Sequence, residues 1–142
     1  MSSSVPRIGV HAHGVEVTFE DPQLDESADA KGIRTFLRAG GFYEANFLDY
    51  IRSLGREGAY VDVGGFIGTH ALYFAKLCPS EHVYTFEPRP RPRGELERNV
   101  AANGLALAVL AYAATREDAV LLHYSTDFVF DPAVDPGPMA AD

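Results

Sequence analysis

The sequence predicts an α/β fold built around a parallel sheet. Between residues 59 and 113, short apolar segments of strand length alternate with longer segments of helical spacing. No short hairpin joins these strands, so helical crossovers must connect them, and such connections give parallel pairing. A glycine-rich turn follows the first strand, as it does in folds that bind nucleotide cofactors. Together these observations predict a parallel sheet with helices on both faces.

The first 40 residues are expected to form an extension to this domain. Residues 8–19 alternate in part between apolar and polar side chains on either side of a glycine, which predicts a β-hairpin. His11 and His13 lie two residues apart on it, a spacing that suits a metal ion. No acidic or cysteine partner accompanies them, so two exposed histidines are expected instead. Residues 20–29 are acidic and poor in apolar groups, which predicts a solvated loop.

The main domain is expected over residues 41–130. Helical spacing from Phe42 to Leu54 predicts a helix with one apolar stripe. The elements predicted after it are a strand over 59–63, a helix over 67–78, a strand over 82–86, a helix over about 92–103, a strand over about 107–113 and a short strand over 119–124. Residues 131–142 contain three prolines and little to bury, which predicts an irregular tail.

Composition and charge exclude several classes of protein. The 142 residues fit one domain, and 46% of them are apolar, as in ordinary globular chains. A net charge of −8 argues against nucleic acid as a partner. The single cysteine, Cys78, excludes an internal disulfide framework and is expected to be a buried thiol. No apolar stretch has the length of a membrane span or the pattern of a signal peptide, which predicts a cytoplasmic protein with no membrane partner.

The segment from Val61 to His70 contains the most informative pattern. A predicted strand ends in Asp62, and Gly64, Gly65 and Gly68 follow before the next helix. Glycines in such a turn adopt dihedrals closed to other residues, let backbone approach a ligand and allow close packing. The turn departs from the G-x-G-x-x-G pattern of dinucleotide sites. A carboxylate there repels a pyrophosphate but favours the cationic groups of S-adenosylmethionine.

A second carboxylate closes the next predicted strand. Glu87 follows Gly68 at the distance at which nucleotide-binding folds place an acidic residue on the ribose. A carboxylate there can accept hydrogen bonds from both ribose hydroxyls. The alternative is a surface acid that caps a loop. Asp62 and the glycine turn upstream favour the ribose role.

Several segments together resemble the FkbM family of methyltransferases. The chain reads VDVGGFIGTHALYFAKL at 61–77, HVYTFEPRP at 82–90 and ELERNVAANGL at 95–105. The family pattern has D-V-G-A-N-I-G, then F-E-P, then N-x-x-x-N-G-L, and Gly41-Phe42-Tyr43-Glu44 resembles its G-x-Y-E segment. The resemblance covers about residues 41–124. It implies a class I, Rossmann-like methyltransferase fold, with S-adenosyl-L-methionine as the cofactor.

The resemblance also implies a set of cofactor-binding residues, namely Glu44, Asp62, Gly64, Gly65, Phe66, Gly68, Glu87 and Pro88. In this set Glu87 would hold the ribose, and Pro88 would fix the loop after it. Glu44 would lie near the methionine end, although a helix N-terminal acid favoured by the dipole is an equal alternative. His70 matches a helix histidine of the family, for which a packed role is expected rather than catalysis.

The chain departs from the family pattern at three points. Phe66 replaces an Asn and Ala71 replaces a Thr, which removes polar groups beside the methionine moiety. There is no D-x-E-G segment, which in the family ends the following core strand. A truncated sheet is therefore expected, in which the 59–63 strand is central but lacks one neighbour. The exposed edge that this leaves on the 59–63 strand predicts a possible homodimer.

The implied activity is methyl transfer to a hydroxyl of a small molecule or sugar. An alternative is a truncated, non-catalytic remnant that retains only the cofactor-binding half, and a second is half of a nicotinamide-dependent oxidoreductase, which Asp62 disfavours. The pattern identifies no catalytic base, and His123 and Asp127 are candidates only by default.

Overall fold

The computed structural model describes residues 5–22 and 28–110. Its elements, in chain order, are β1 (Arg7–Ala12), β2 (Val15–Glu20), α1 (Ala28–Arg38), α2 (Ala45–Ser53), β3 (Gly58–Val63), α3 (Thr69–Leu77), β4 (Ser80–Phe86), α4 (Pro90–Ala102) and β5 (Ala108–Leu110). The predicted strand over 119–124 and the predicted tail lie outside the described residues. No helix within the described ranges is long and apolar enough to cross a bilayer.

Strands β3, β4 and β5 form a parallel sheet in that order. The predicted succession of strand, helix, strand, helix and strand is confirmed as far as Leu110. The prediction that the 59–63 strand is central is wrong for the described strands, because β5 pairs with β4 rather than with β3. Strand β4 is therefore central, and β3 lies at one edge.

Helices α3 and α4 cover one face of this sheet. The strand order advances in one direction, so two right-handed crossovers place both helices on the same side. On that face Tyr60 contacts the ring of Phe74 at 5.2 Å between centroids, and Val83 is buried. On the other face, here called the open face, Val61 is 59% exposed and Tyr84 is 38% exposed. The expected helices are thus found on one face only among residues 5–22 and 28–110.

The predicted β-hairpin is confirmed as β1 and β2, which pair antiparallel. Its turn contains His13 and Gly14, both with positive φ. The apolar side of the hairpin packs on α3 and α4, where Val10, Val17 and Phe19 are fully buried. The hairpin therefore forms a layer on the side of these helices opposite the sheet.

The two hairpin histidines are exposed, as expected, but each has an acidic partner. His11 Nε2 lies 3.4 Å from a Glu16 carboxylate oxygen, and His13 Nε2 lies 2.7 Å from an Asp49 oxygen. The Asp49 partner comes from α2, so sequence proximity did not reveal it. No group of three or more metal-binding side chains occurs in the part of the chain that the structure describes. Cys78 is half-buried rather than buried, and burial raises the pKa of its thiol.

Helix α1 was not predicted, since the acidic loop was expected up to residue 29. Its buried side chains, Ala30, Ile33 and Leu37, recur at the spacing of one helix face. That face packs on β1. Gly32 lies within the helix and lowers its intrinsic propensity, so burial against the hairpin stabilises a segment whose local pattern is weak.

Asn99 of α4 and Asn103, which follows the last residue of this helix, bind the hairpin through its backbone. Asn103 accepts from the Thr18 N–H at 2.9 Å and donates to the Thr18 carbonyl at 2.7 Å. Asn99 accepts from the Glu20 N–H at 2.7 Å and donates to the Ile67 carbonyl at 2.9 Å. This asparagine clamp, Asn99 and Asn103, joins β2, α4 and the glycine-rich turn.

Candidate cofactor-binding site

The glycine-rich turn lies at the carboxyl end of β3, as predicted. Gly64, Phe66 and Gly68 have φ values of 90°, 50° and 93°, so the chain enters the left-handed region three times in five residues. The N–H groups of Gly64 and Gly65 both donate to the Phe86 carbonyl, at 2.9 and 3.0 Å. The Gly68 N–H donates to the Gly65 carbonyl at 2.7 Å. This conformation is costly for a non-glycine residue, and Phe66 adopts it beside the end of β4.

The glycines of the turn serve different purposes. A Cβ on Gly65 would lie 2.0 Å from Thr85 Oγ1, so only glycine fits between the turn and β4. A Cβ on Gly68 would lie 3.2 Å from Leu96 Cγ, which places the start of α3 close against α4. Gly64 faces open space, and its positive φ is what favours glycine there.

Asp62 lies beneath this turn and is 8% exposed. Its Oδ2 accepts a hydrogen bond from Thr85 Oγ1 at 3.2 Å, and the carboxylate also accepts one from the backbone of Ala71. Burial raises the pKa of Asp62, although the neighbouring His70 opposes that effect. The carboxylate therefore joins the end of β3 to β4 and to the first turn of α3.

Glu44 reaches the same region from a different part of the chain. It precedes α2 with a left-handed φ of 58°, and its side chain makes no capping hydrogen bond to that helix. Instead a carboxylate oxygen lies 3.0 Å from His70 Nε2. The His70 ring is packed near Phe47 and Phe74, at centroid distances of 6.2 and 6.3 Å. Glu44 and His70 thus form an ion pair beside the turn, and His70 also acts electrostatically on Asp62.

Glu87 directly follows β4 and is 1% exposed. Its Oε1 accepts from the backbone N–H and the Nε of Arg89, both at 2.9 Å. Its Oε2 accepts from the Phe66 N–H at 3.0 Å and from Arg89 Nη2 at 3.3 Å. Burial acts to raise the Glu87 pKa, but these hydrogen bonds outweigh it and hold the pKa below its usual range. The carboxylate is therefore ionised at neutral pH and linked directly to the glycine-rich turn.

The loop after Glu87 is fixed by α4. Arg93 Nη1 donates to the carbonyls of Glu87 and Pro88, each at 3.1 Å. Pro88 itself is exposed. The guanidinium of Arg89 lies 5.2 Å from the centroid of the Phe66 ring, so Arg89 covers both the carboxylate and the ring.

The structure brings together the residues predicted from the sequence and adds others. Glu44 contacts His70, whose charge lowers the pKa of Asp62, and Glu87 contacts Phe66. The additional residues are Thr85, Arg89, Arg93 and Asn99. The sequence contains only weak signals for these four residues. They are a polar residue near the end of a buried strand, alternating Arg and Pro over 89–93, and two asparagines four residues apart in a predicted helix. The default candidates His123 and Asp127 lie outside the described residues.

This arrangement suits a ligand with hydroxyl groups and positive charge. Three carboxylates lie beside the glycine-rich turn, those of Glu44, Asp62 and Glu87, where they favour cations and accept hydrogen bonds from hydroxyls. A separate cavity of 360 Å³ lies at the amino ends of β4 and β5, between residues 80–84 and 105–108. It is at the opposite end of the strands and belongs to a different part of the surface.

No protein-family model matches this chain, and no curated protein does.

Proposed function

We propose that this chain binds S-adenosylmethionine at the carboxyl ends of β3 and β4 and is part of a cytoplasmic methyltransferase of the FkbM type. Its substrate would be a hydroxyl group of a small molecule or sugar. The observation that supports this most is Glu87, a buried, ionised carboxylate that directly follows β4 and accepts a hydrogen bond from the glycine-rich turn.

Glu87 fits a ribose because of its position and its charge state. A carboxylate at the end of the second strand can accept from both hydroxyls of an adenosyl ribose. The Phe66 N–H, at 3.0 Å, holds one of its oxygens in place. Arg93 fixes the backbone of the same loop. Such fixed acceptors align a ligand with little loss of entropy on binding.

The other carboxylates fit the methionine end of the cofactor. Glu44 and Asp62 give this side of the turn a negative potential, to which the amino and sulfonium groups of S-adenosylmethionine are attracted. The same potential disfavours a pyrophosphate, which argues against a nicotinamide dinucleotide. The cofactor carries an activated methyl group, so the protein contributes mainly proximity and alignment.

Calorimetric titration with S-adenosylmethionine and S-adenosylhomocysteine tests this proposal. Glu87→Ala should weaken binding by on the order of 2–4 kcal/mol, because two charge-assisted hydrogen bonds are lost. The conservative Glu87→Gln should weaken binding as well, by a smaller amount. Glu97→Gln, which removes an exposed acid from α4, is the control and should leave binding unchanged. Binding of NAD without binding of S-adenosylmethionine would show that the proposed function is wrong.

A second candidate is a chain that binds the cofactor without catalysing transfer. The position of β3 favours this candidate, because β3 is an edge strand among the described strands and its residue Val61 is exposed. A pocket open on that side aligns the acceptor poorly, and a misplacement of about 1 Å can cost roughly 100-fold in rate. Cofactor binding with little turnover on a range of hydroxyl acceptors would support this candidate over the enzyme.

A further inference from the structure

We propose that Arg89 is a latch on the ribose-binding carboxylate: its guanidinium occupies the positions on Glu87 that the two ribose hydroxyls need, and it moves away when the cofactor binds. This inference rests on the proposed function. It concerns a residue that would set the affinity and the rate of cofactor binding without being part of the bound site.

The hydrogen bonds of Glu87 define the latch. An ionised carboxylate has about four positions at which it accepts hydrogen bonds. All four are filled in this structure: two by the backbone N–H groups of Phe66 and Arg89, and two by the Arg89 guanidinium. The guanidinium takes one position on each oxygen, since Nε binds Oε1 and Nη2 binds Oε2. Its departure frees one acceptor position on each oxygen, which matches the pair of neighbouring ribose hydroxyls.

The guanidinium is the partner that can leave. The two backbone donors are held by the glycine-rich turn and by the loop that Arg93 fixes. By contrast, the Arg89 side chain is 61% exposed, although Glu87 is buried. Solvent around the arginine screens this ion pair in part and so weakens it. The Phe66 ring offers the guanidinium a second favourable contact close to the carboxylate.

The latch lowers the apparent affinity for the cofactor. Only the fraction of molecules with Arg89 displaced can bind the ribose fully. The apparent dissociation constant is the intrinsic constant divided by this fraction, so it rises as the fraction falls. Arg89→Gln removes the ion pair and should therefore tighten binding. For an ion pair whose arginine is exposed and partly screened, the expected gain is about five-fold. Arg89→Lys keeps the charge but cannot bind both oxygens in the same way, so its gain should be intermediate.

The test is calorimetric titration of the full chain with S-adenosylhomocysteine at pH 8. Arg89→Gln is compared with Arg38→Gln as a matched control. Arg38 of α1 is also an exposed arginine paired with a carboxylate, that of Asp21, and the substitution breaks this pair. We expect about five-fold tighter binding for Arg89→Gln and no change for Arg38→Gln. Adenosine and 2′,3′-dideoxyadenosine are compared by nuclear magnetic resonance titration. The gain should appear with adenosine and be absent with the analogue that lacks both hydroxyls.

Each outcome either supports or overturns the latch, and the outcomes distinguish its failure from failure of the proposed function. Unchanged or weaker binding of S-adenosylhomocysteine by Arg89→Gln, while Glu87→Gln still loses affinity, overturns the latch and leaves the proposed function intact. An equal gain for 2′,3′-dideoxyadenosine also overturns it, because the effect would then be independent of the ribose hydroxyls. If no form of the chain binds S-adenosylhomocysteine, the proposed function and the latch both fail. Thermal melts verify that each variant is folded, and Arg89→Lys gives a second reading should Arg89→Gln be unfolded.

Discussion

At the scale of single residues, Asp62 combines a candidate binding role with an unfavourable environment. The carboxylate is buried beneath the glycine-rich turn, and burial raises its pKa above the ordinary value. A group with a raised folded-state pKa adds stability below its unfolded pKa, and that contribution is lost as pH rises through the folded value. Above that folded value, the ionised Asp62 is therefore a cost to folding.

Asp62→Asn should separate stability from binding. The amide keeps the size of the carboxylate and removes its charge, so the free energy of unfolding at pH 7 should rise by roughly 1 kcal/mol. Binding of S-adenosylmethionine should weaken in the same variant, because the negative potential beside the turn is reduced. Urea denaturation at pH 7 and pH 4, with calorimetry at pH 7, measures both effects. The difference in stability from the unchanged chain should shrink at pH 4, where Asp62 takes up a proton.

Asp49→Asn is the control, because its effect on stability at pH 7 should be opposite in sign to that of Asp62→Asn. Hydrogen bonds from His13 and then Tyr73 lower the pKa of Asp49, so its ionised form stabilises the fold above the unfolded pKa. That contribution is lost as pH falls through the lowered value. Asp49→Asn should therefore reduce stability at pH 7. If both variants changed stability in the same direction, burial of charge would not explain the behaviour of Asp62.

The positions of Asp62 and Glu87 could be predicted because both end apolar strands, and the carboxyl ends of parallel strands meet at one edge of a sheet. The turn was predictable from its glycines. The contact between Arg89 and Glu87 could not be predicted. A long side chain in a loop can reach many partners, and the local sequence does not specify which one it binds. Glu44 shows the same limit: its contact with His70 depends on how α2 packs.

At the scale of secondary structure elements, the asparagine clamp holds the hairpin against the helices and fixes the carbonyl of Ile67 in the turn. Asn99 is 1% exposed, and Asn99→Ala would leave the buried Glu20 N–H and Ile67 carbonyl without their partner. The expected loss is roughly 2–3 kcal/mol of folding free energy. Thermal or urea denaturation measures it, with Asn46→Ala on the exposed side of α2 as the control. A loss below about 0.5 kcal/mol would show that water replaces the amide at little cost.

Elements with a strong local pattern were predicted and α1 was not. The hairpin alternates in polarity around a turn, and β3 to β5 alternate with helices of clear spacing, so periodicity alone identifies them. In α1 the apolar residues are few, a glycine interrupts them, and the preceding segment is acidic. Its stability comes from packing on β1, which is a tertiary effect that no local window contains.

At the scale of the whole molecule, the position of β3 at the edge of the sheet formed by the described strands predicts association. An edge strand offers unpaired N–H and C=O groups, and the open face beside it exposes Val61 and Tyr84. Such an edge favours pairing with a second copy of the chain. We expect a concentration-dependent dimer by light scattering and sedimentation. Val61→Lys places a charge on this edge strand and should shift the equilibrium to the monomer.

Tyr50→Lys provides the control for that experiment. Tyr50 is 63% exposed on α2, so the substitution adds the same charge away from β3 and should leave the dimer intact. A chain that is monomeric at all concentrations would contradict the prediction, as would equal dissociation of the two variants.

The strand order could not be predicted from the sequence, although the parallel sheet could. Alternation of strands and helices specifies the handedness of each crossover, but the side of β3 on which a neighbour pairs depends on contacts distant in sequence. The expectation of a central β3 assumed a strand that the described residues do not supply. The open face follows from the same cause, because two crossovers that advance in one direction leave the other face uncovered.

The hairpin layer changes where the boundary of the folding unit lies. The sequence suggested an extension up to residue 40, followed by the main domain over residues 41–130. However, Val17 and Phe19 are fully buried, and the backbone of β2 supplies partners to the two asparagines of the clamp. Deleting the first 40 residues would expose the apolar surfaces of α3 and α4 that the hairpin covers. It would also leave the side-chain amides of Asn99 and Asn103 without their backbone partners in β2. The smallest piece that can be expected to fold, and therefore to display the candidate site, begins at β1 rather than at the first residue of the resemblance.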